Sequence, residues 1–142
     1  MSSFSRRTSD AASVDVIYDW AMSELSKFVV FSNPTAGMED VFNEWYEHVH
    51  IADVLQVPGM VSAQRFKLHE VALPDGGEDA GPGPEQAQHR YMLIYELDGD
   101  PAAVMAEMAA RTVSGVMALH EALDLSSITM GFWDALGPAR RS

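Results

Sequence analysis

The residues best suited to chemistry fall in one segment, Trp45-Tyr46-Glu47-His48-Val49-His50-Ile51-Ala52-Asp53. His50 and Asp53 are three apart, a spacing that projects both to one side of a helix. A carboxylate beside an imidazole fixes its tautomer and favours its charged form, so the pair reads as a general base and its orienter. On the helical wheel Asp53 falls within the apolar stripe and His50 at its edge, beside Tyr46. An acid on a core-facing stripe is costly unless paired. The competing reading is a helix end, with His50 bonding late carbonyls and Asp53 capping the turn that follows. His48 and His50 are poorly spaced to share a metal ion. With no HxxxH pair and no cysteine, no metal site is expected. His69, His89 and His120 are isolated and read as packing residues. Arg65, inside an apolar stretch, could bind a carboxylate or enolate oxygen, or salt-bridge a neighbouring strand or partner subunit. Met105, Met108 and Met117 recur at near-helical spacing and read as core.

The elements that must hold these residues follow from periodicity and punctuation. Residues 1–12 read as a disordered tail. Val14, Ile17, Tyr18, Ala21, Met22 and Leu25 then mark a short amphipathic helix over 13–26, with Ser13 as its cap. Residues 27–32 form a buried strand that Asn33-Pro34 ends. A helix runs from Met38 past His50, with Val41, Phe42, Trp45, Tyr46 and Val49 on its apolar stripe. Val57-Pro58-Gly59 stops it. Strands are expected over 60–71 and 89–97, separated by an acidic, Gly- and Pro-rich loop over 74–88. Asp100-Pro101 starts a second helix, a capping carboxylate followed by proline at the first helical position. That helix is expected to reach about Ala118. A last strand covers 127–135, with Phe132 and Trp133 on opposite faces, and 138–142 is a tail. The order β-α-β-β-α-β over 27–137 gives one α+β domain, a ferredoxin-like four-stranded antiparallel sheet with both helices on one face. Pairing of two copies through the bare sheet face would cover its apolar residues.

The bulk numbers narrow the function classes. The chain has 142 residues, no cysteine and a formal net charge of −12. Such a charge repels phosphate backbones and anionic membrane surfaces. No apolar run approaches the roughly 18 residues of a membrane span, and the start of the chain has no signal-peptide core. A cytoplasmic location is expected, with neither nucleic acid nor membrane as partner. No GxGxxG follows a strand, and no P-loop or GxSxG elbow occurs, which argues against nucleotide cofactors and serine hydrolysis.

The run from Trp45 to Leu55, followed by Val57-Pro58-Gly59 and Ala63-Gln64-Arg65-Phe66, resembles the EthD-like branch of the dimeric α+β barrel superfamily. The resemblance extends over roughly residues 27–136 and is strongest over 42–68. It implies a homodimer formed through the sheet face, with a pocket between sheet and helices in each subunit. The N-terminal helix and the long acidic loop are additions to that pattern. Because such a pocket is cut from the core, Tyr46, Tyr95 and Trp133 are its expected lining. The expected function is that of a cofactor-independent lyase, isomerase or cyclase. It would act on a small apolar carbonyl-bearing compound, aromatic or polyketide-like, with His50, Asp53 and Arg65 as catalytic residues. The alternatives are a cofactor-free monooxygenase or haem protein of the same superfamily, and a non-enzymatic small-molecule-binding dimer.

Overall fold

β1 (Ser26–Ser32) is the centre of the architecture, and its sequence SKFVVFS shows why. Phe28, Val30 and Ser32 are buried on one face, while the residues between them are half-buried on the other. The structure, a computed structural model, describes residues 25–74, 76–77 and 81–142. The expected tail over 1–12 and nearly all of the helix over 13–26 lie outside the described residues.

Three strands join β1: β2 (Met60–Lys67), β3 (Tyr91–Leu97) and β4 (Thr129–Trp133). The sheet order is β2-β3-β1-β4 and every pairing is antiparallel. Register decides which residues meet the helices. Phe28 lies opposite Tyr95 and Phe132, and Arg65 opposite Leu93, so all five share the helix-covered face. Val29, Phe31, Phe66, Met92, Ile94 and Trp133 occupy the alternate positions and form the second face, which is bare among the described residues. The fold is therefore the ferredoxin-like α+β one that the element order predicts.

The first helical segment has three parts: α1 (Glu39–Trp45), a π-helical turn (Tyr46–His50) and α2 (Ile51–Leu55). Within it the Ile51 amide donates to the Tyr46 carbonyl, five residues back. The wider turn accommodates one extra residue, and everything after it rotates relative to an ideal wheel. Buried positions run Phe42, Trp45, Tyr46, His50, Val54 and Val57. Val41 and Val49, expected on the stripe, are exposed. Full burial of a side chain such as Phe42 stabilises by about 2 kcal/mol.

Gly59 explains the Pro-Gly break. Its φ is +100°, and a Cβ there would stand 3.1 Å from both the Asp98 carbonyl oxygen and Val104 Cγ2. Only glycine lets the chain pass this close while its own carbonyl accepts from the Asp98 amide at 2.8 Å. α3 (Pro101–Ser114) begins as expected, with the Asp100 carboxylate accepting from the Ala102 amide at 3.3 Å. It ends four residues before the expected boundary, because Gly115 caps it at φ +85°. Residues 116–124 then fold as an irregular segment, and Asp124 caps a 3-10 turn (Leu125–Ser127) that leads into β4. β2 also stops at Lys67, before the expected Val71.

Candidate active site

Between α3, the π turn and the sheet lies a cavity of about 320 Å³. Its floor is Phe28, Val30 and Tyr95 from the sheet. Tyr46, His50 and Val54 form one wall, and Met105, Met108 and Thr112 of α3 form another. Met117 and Leu123 of the irregular segment close a third side. Exposed Val113, Leu119 and Met130 rim its mouth.

His50 reaches this wall because of the π turn. In a regular α-helix, residues five apart are separated by about 140° around the axis. Here the His50 ring stacks on Trp45 with centroids 4.5 Å apart and planes 24° apart. It also meets Tyr46 edge-on at 5.2 Å. His50 is 9% exposed, and its Nδ1 is buried without a hydrogen-bond partner. Burial holds its pKa down at about 4, against an ordinary 6.5, with the nearby Asp53 charge pulling weakly the other way. The ring is therefore a neutral imidazole at pH 7.

Asp53 is half-buried on the following turn. No hydrogen bond joins it to His50, so it influences the ring through its field alone. The helix-end alternative does not describe His50 either, since its Nδ1 meets no carbonyl. Rotation by the π turn also resolves the sequence-level oddity of Asp53. Val54, not Asp53, occupies the buried stripe.

Arg65 stands outside the cavity lining, behind Tyr46 and Tyr95. Its side chain is 14% exposed. It donates to Asn43 Oδ1 at 2.7 Å and to Glu47 Oε1 at 3.1 Å, both on the facing helix. Its guanidinium lies 5.0 Å from the Tyr46 ring centroid, 5.6 Å from Tyr91 and 5.7 Å from Phe42. Arg65 pairs with the first helix and not with the neighbouring strand that the sequence suggested. Burial pushes the Tyr46 and Tyr95 phenols upward in pKa, so both keep their protons at neutral pH. The Arg65 charge opposes the rise at both. Asn43 also donates to the Tyr91 hydroxyl, which in turn donates to the Glu39 carboxylate.

Trp133 does not line the cavity. It pairs with Lys27 on the bare face and is 63% exposed, because strand alternation turns it away from Phe28. Its neighbour Phe132 faces inward instead, stacked on Phe28 at 4.6 Å. Met105, Met108 and Met117, read from sequence as core, line the cavity, as does Met130. Helical spacing is the same for a packed residue and a lining one, so no sequence signal separates the two roles. Among the described residues no cluster of His, Asp and Glu is arranged to hold a metal ion.

Fold and site together define a ferredoxin-like α+β subunit with a helix-side apolar cavity. Two solved structures similar to this chain share the fold. A variant of MhuD, described with two manganese protoporphyrin IX molecules bound per active site, is 11% identical. It covers 82% of this chain and 99% of its own, at a TM-score of 0.53. HapK from Hahella chejuensis is 18% identical, covering 82% and 98% at a TM-score of 0.52. An EthD family protein from Bacillus halodurans is 16% identical, covering 79% and 99% at a TM-score of 0.48. No protein-family model matches the sequence, and no curated protein matches it.

Proposed function

We propose that the protein is a cofactor-independent lyase, isomerase or cyclase that moves a proton on a small, apolar, carbonyl-bearing molecule. The observation that carries this reading is the neutral, unpartnered His50 imidazole in an otherwise apolar cavity. A neutral ring is in the right state to accept a proton. With a pKa of about 4 it is a weak base, so the proton it takes must be acidified by an adjacent carbonyl. As the proton passes from substrate carbon to His50, the C–H electron pair moves into an enolate. The developing anion beside the ring then favours the imidazolium and raises its basicity at the moment of transfer. His50 returns the proton to a different atom to complete the isomerisation. Tyr46 and Tyr95 stay protonated and line the site, with Arg65 behind them as a positioning residue that biases both phenols toward donation. Asp53 contributes a favourable field for the imidazolium.

The bare sheet face supports a homodimer. Phe31, Phe66, Met92 and Ile94 form a contiguous apolar surface that a second copy would cover.

Porphyrin binding, the property of the MhuD variant, fits the cavity poorly. The lining holds no lysine or arginine to meet propionates, and about 320 Å³ falls well short of a buried four-pyrrole ring.

The test is hydrogen–deuterium exchange at the α-carbon of 2-tetralone, a neutral two-ring ketone, followed by NMR in D2O. The wild-type protein is expected to accelerate exchange. His50→Ala is expected to lose roughly 100-fold or more of that acceleration while its circular dichroism is unchanged. Equal acceleration by both proteins would remove His50 as the base.

A further inference from the structure

Some polar atoms around the cavity are sealed from any ligand. Among the described residues, Ser32 Oγ, His50 Nδ1 and Arg65 Nε are buried with neither a hydrogen-bond partner nor accessible surface. Thr112 is engaged within its own helix, its hydroxyl donating to the Met108 carbonyl at 3.0 Å. The Tyr46 and Tyr95 hydroxyls differ from both. Among the described residues they too have no hydrogen-bond partner, yet neither is sealed. Each residue is 2% exposed and lines the cavity, so the little surface it keeps belongs to the cavity wall. His50 Nε2 is likewise unpartnered and unsealed.

The two phenols come from different elements. Tyr95 stands on β3 between Phe28 of β1 and Ala63 of β2, and Tyr46 opens the π turn above the sheet. The Arg65 charge acts on both hydroxyls and Tyr46 acts on Tyr95, so the three groups are neighbours. Around them the lining is hydrocarbon and thioether, from Val30, Val54, Met105 and Met108. An O–H without a partner in such surroundings forfeits its hydrogen bond, and a ligand that brings an acceptor restores it. The Arg65 charge is matched by Glu47 at 3.1 Å, so the wall offers donors without net positive charge and suits a neutral oxygen. A volume of about 320 Å³ is roughly twice the about 150 Å³ that takes up one benzene ring. We infer that the Tyr46 and Tyr95 hydroxyls together donate to one ketone oxygen and are the specificity-determining pair of a site for neutral two-ring ketones. This rests on the reading of the cavity as the working site. The His50 ring meets the Tyr46 ring edge-on at 5.2 Å, so an α-carbon two bonds from the held oxygen lies beside His50 Nε2. The enolate formed there keeps its charge against the two donors.

The experiment is calorimetric titration at pH 7 of 2-tetralone, and of tetralin, the same two rings without the oxygen, into the wild-type chain, Tyr46→Phe and Tyr95→Phe. Each substitution should weaken tetralone about tenfold, the worth of one buried hydrogen bond, and leave tetralin within about twofold. Comparing variant with wild type for each ligand cancels the unequal hydration of the two ligands. Neither substitution removes a hydrogen bond within the protein, so the urea midpoints should not fall. In the infrared, the carbonyl stretch of bound tetralone should lie below its position in cyclohexane and move back toward it in either variant. Tetralone affinity unchanged by both substitutions, equal losses for the two ligands, or no binding of tetralone by the wild type overturns the inference. A cyclohexane-like stretch in the wild-type complex does so as well, even if the variants fail to fold. The exchange experiment reads proton transfer at His50 and this one reads the grip on oxygen. A loss confined to tetralone, without His50-dependent exchange, keeps the phenol pair and removes the base. His50-dependent exchange with unaltered tetralone affinity does the reverse.

Discussion

Lowering the pH should destabilise this protein through His50 in a window set by its burial. The ring's pKa is about 4 in the folded chain, against 6.5 unperturbed. Between those values the unfolded chain binds a proton that the folded chain refuses, so stability falls as pH falls. Linkage gives a loss of roughly 2 kcal/mol by pH 5 and about 3 kcal/mol by pH 4, flattening below. For a domain with an expected stability of about 5–15 kcal/mol this is a large share. Carboxylates titrate in the lower part of the same window, so the variant His50→Gln isolates the contribution. Urea unfolding of both proteins at pH 7, 5 and 4 measures it. The wild type should lose stability faster than the variant by the stated amounts, with the gap opening below pH 6.5 and complete near pH 4. Parallel losses in the two proteins would show that the imidazole is hydrated, and the argument for a dry cavity wall would fall with it.

Four further outcomes follow from the same geometry. Deleting exposed His48 should convert the π turn to regular helix while keeping Trp45 and Val54 buried, costing about 1 kcal/mol or less. Deleting Ala52, beyond the turn, should rotate Val54 off the core and unfold the chain, as thermal melts will show. Arg65→Lys should lose roughly 1–2 kcal/mol in urea unfolding, because an ammonium cannot bond Asn43 and Glu47 from a planar fork over three rings. The loss stays moderate because Glu47 is 56% exposed and remains solvated. Ile94→Glu, central on the bare face, should shift the protein from dimer to monomer in sedimentation experiments; an unchanged mass would place the interface elsewhere.

The sequence by itself determined the element order, and with it the sheet. Strand alternation in SKFVVFS, the Asp100-Pro101 helix start and the Pro-Gly break are local instructions, readable without knowing what the chain touches. The first helix was legible too, but not its phase. An ideal wheel assumes 3.6 residues per turn, and the π turn at Tyr46–His50 adds one residue. That single insertion turned Val49 outward, kept Asp53 off the buried stripe and stacked His50 on Trp45. Alternation correctly put Phe132 and Trp133 on opposite faces, yet which face met the cavity was set by register with Phe28 and Lys27 on another strand. The methionine lining was hidden for a related reason. Core and cavity wall share one hydrophobic period, and only the spacing of three packed elements leaves a gap between them. What made His50 notable in sequence was the company of Asp53. What makes it notable in three dimensions is the absence of any partner for its Nδ1. Burial without a partner is a property of the surrounding elements, and no local pattern encodes it.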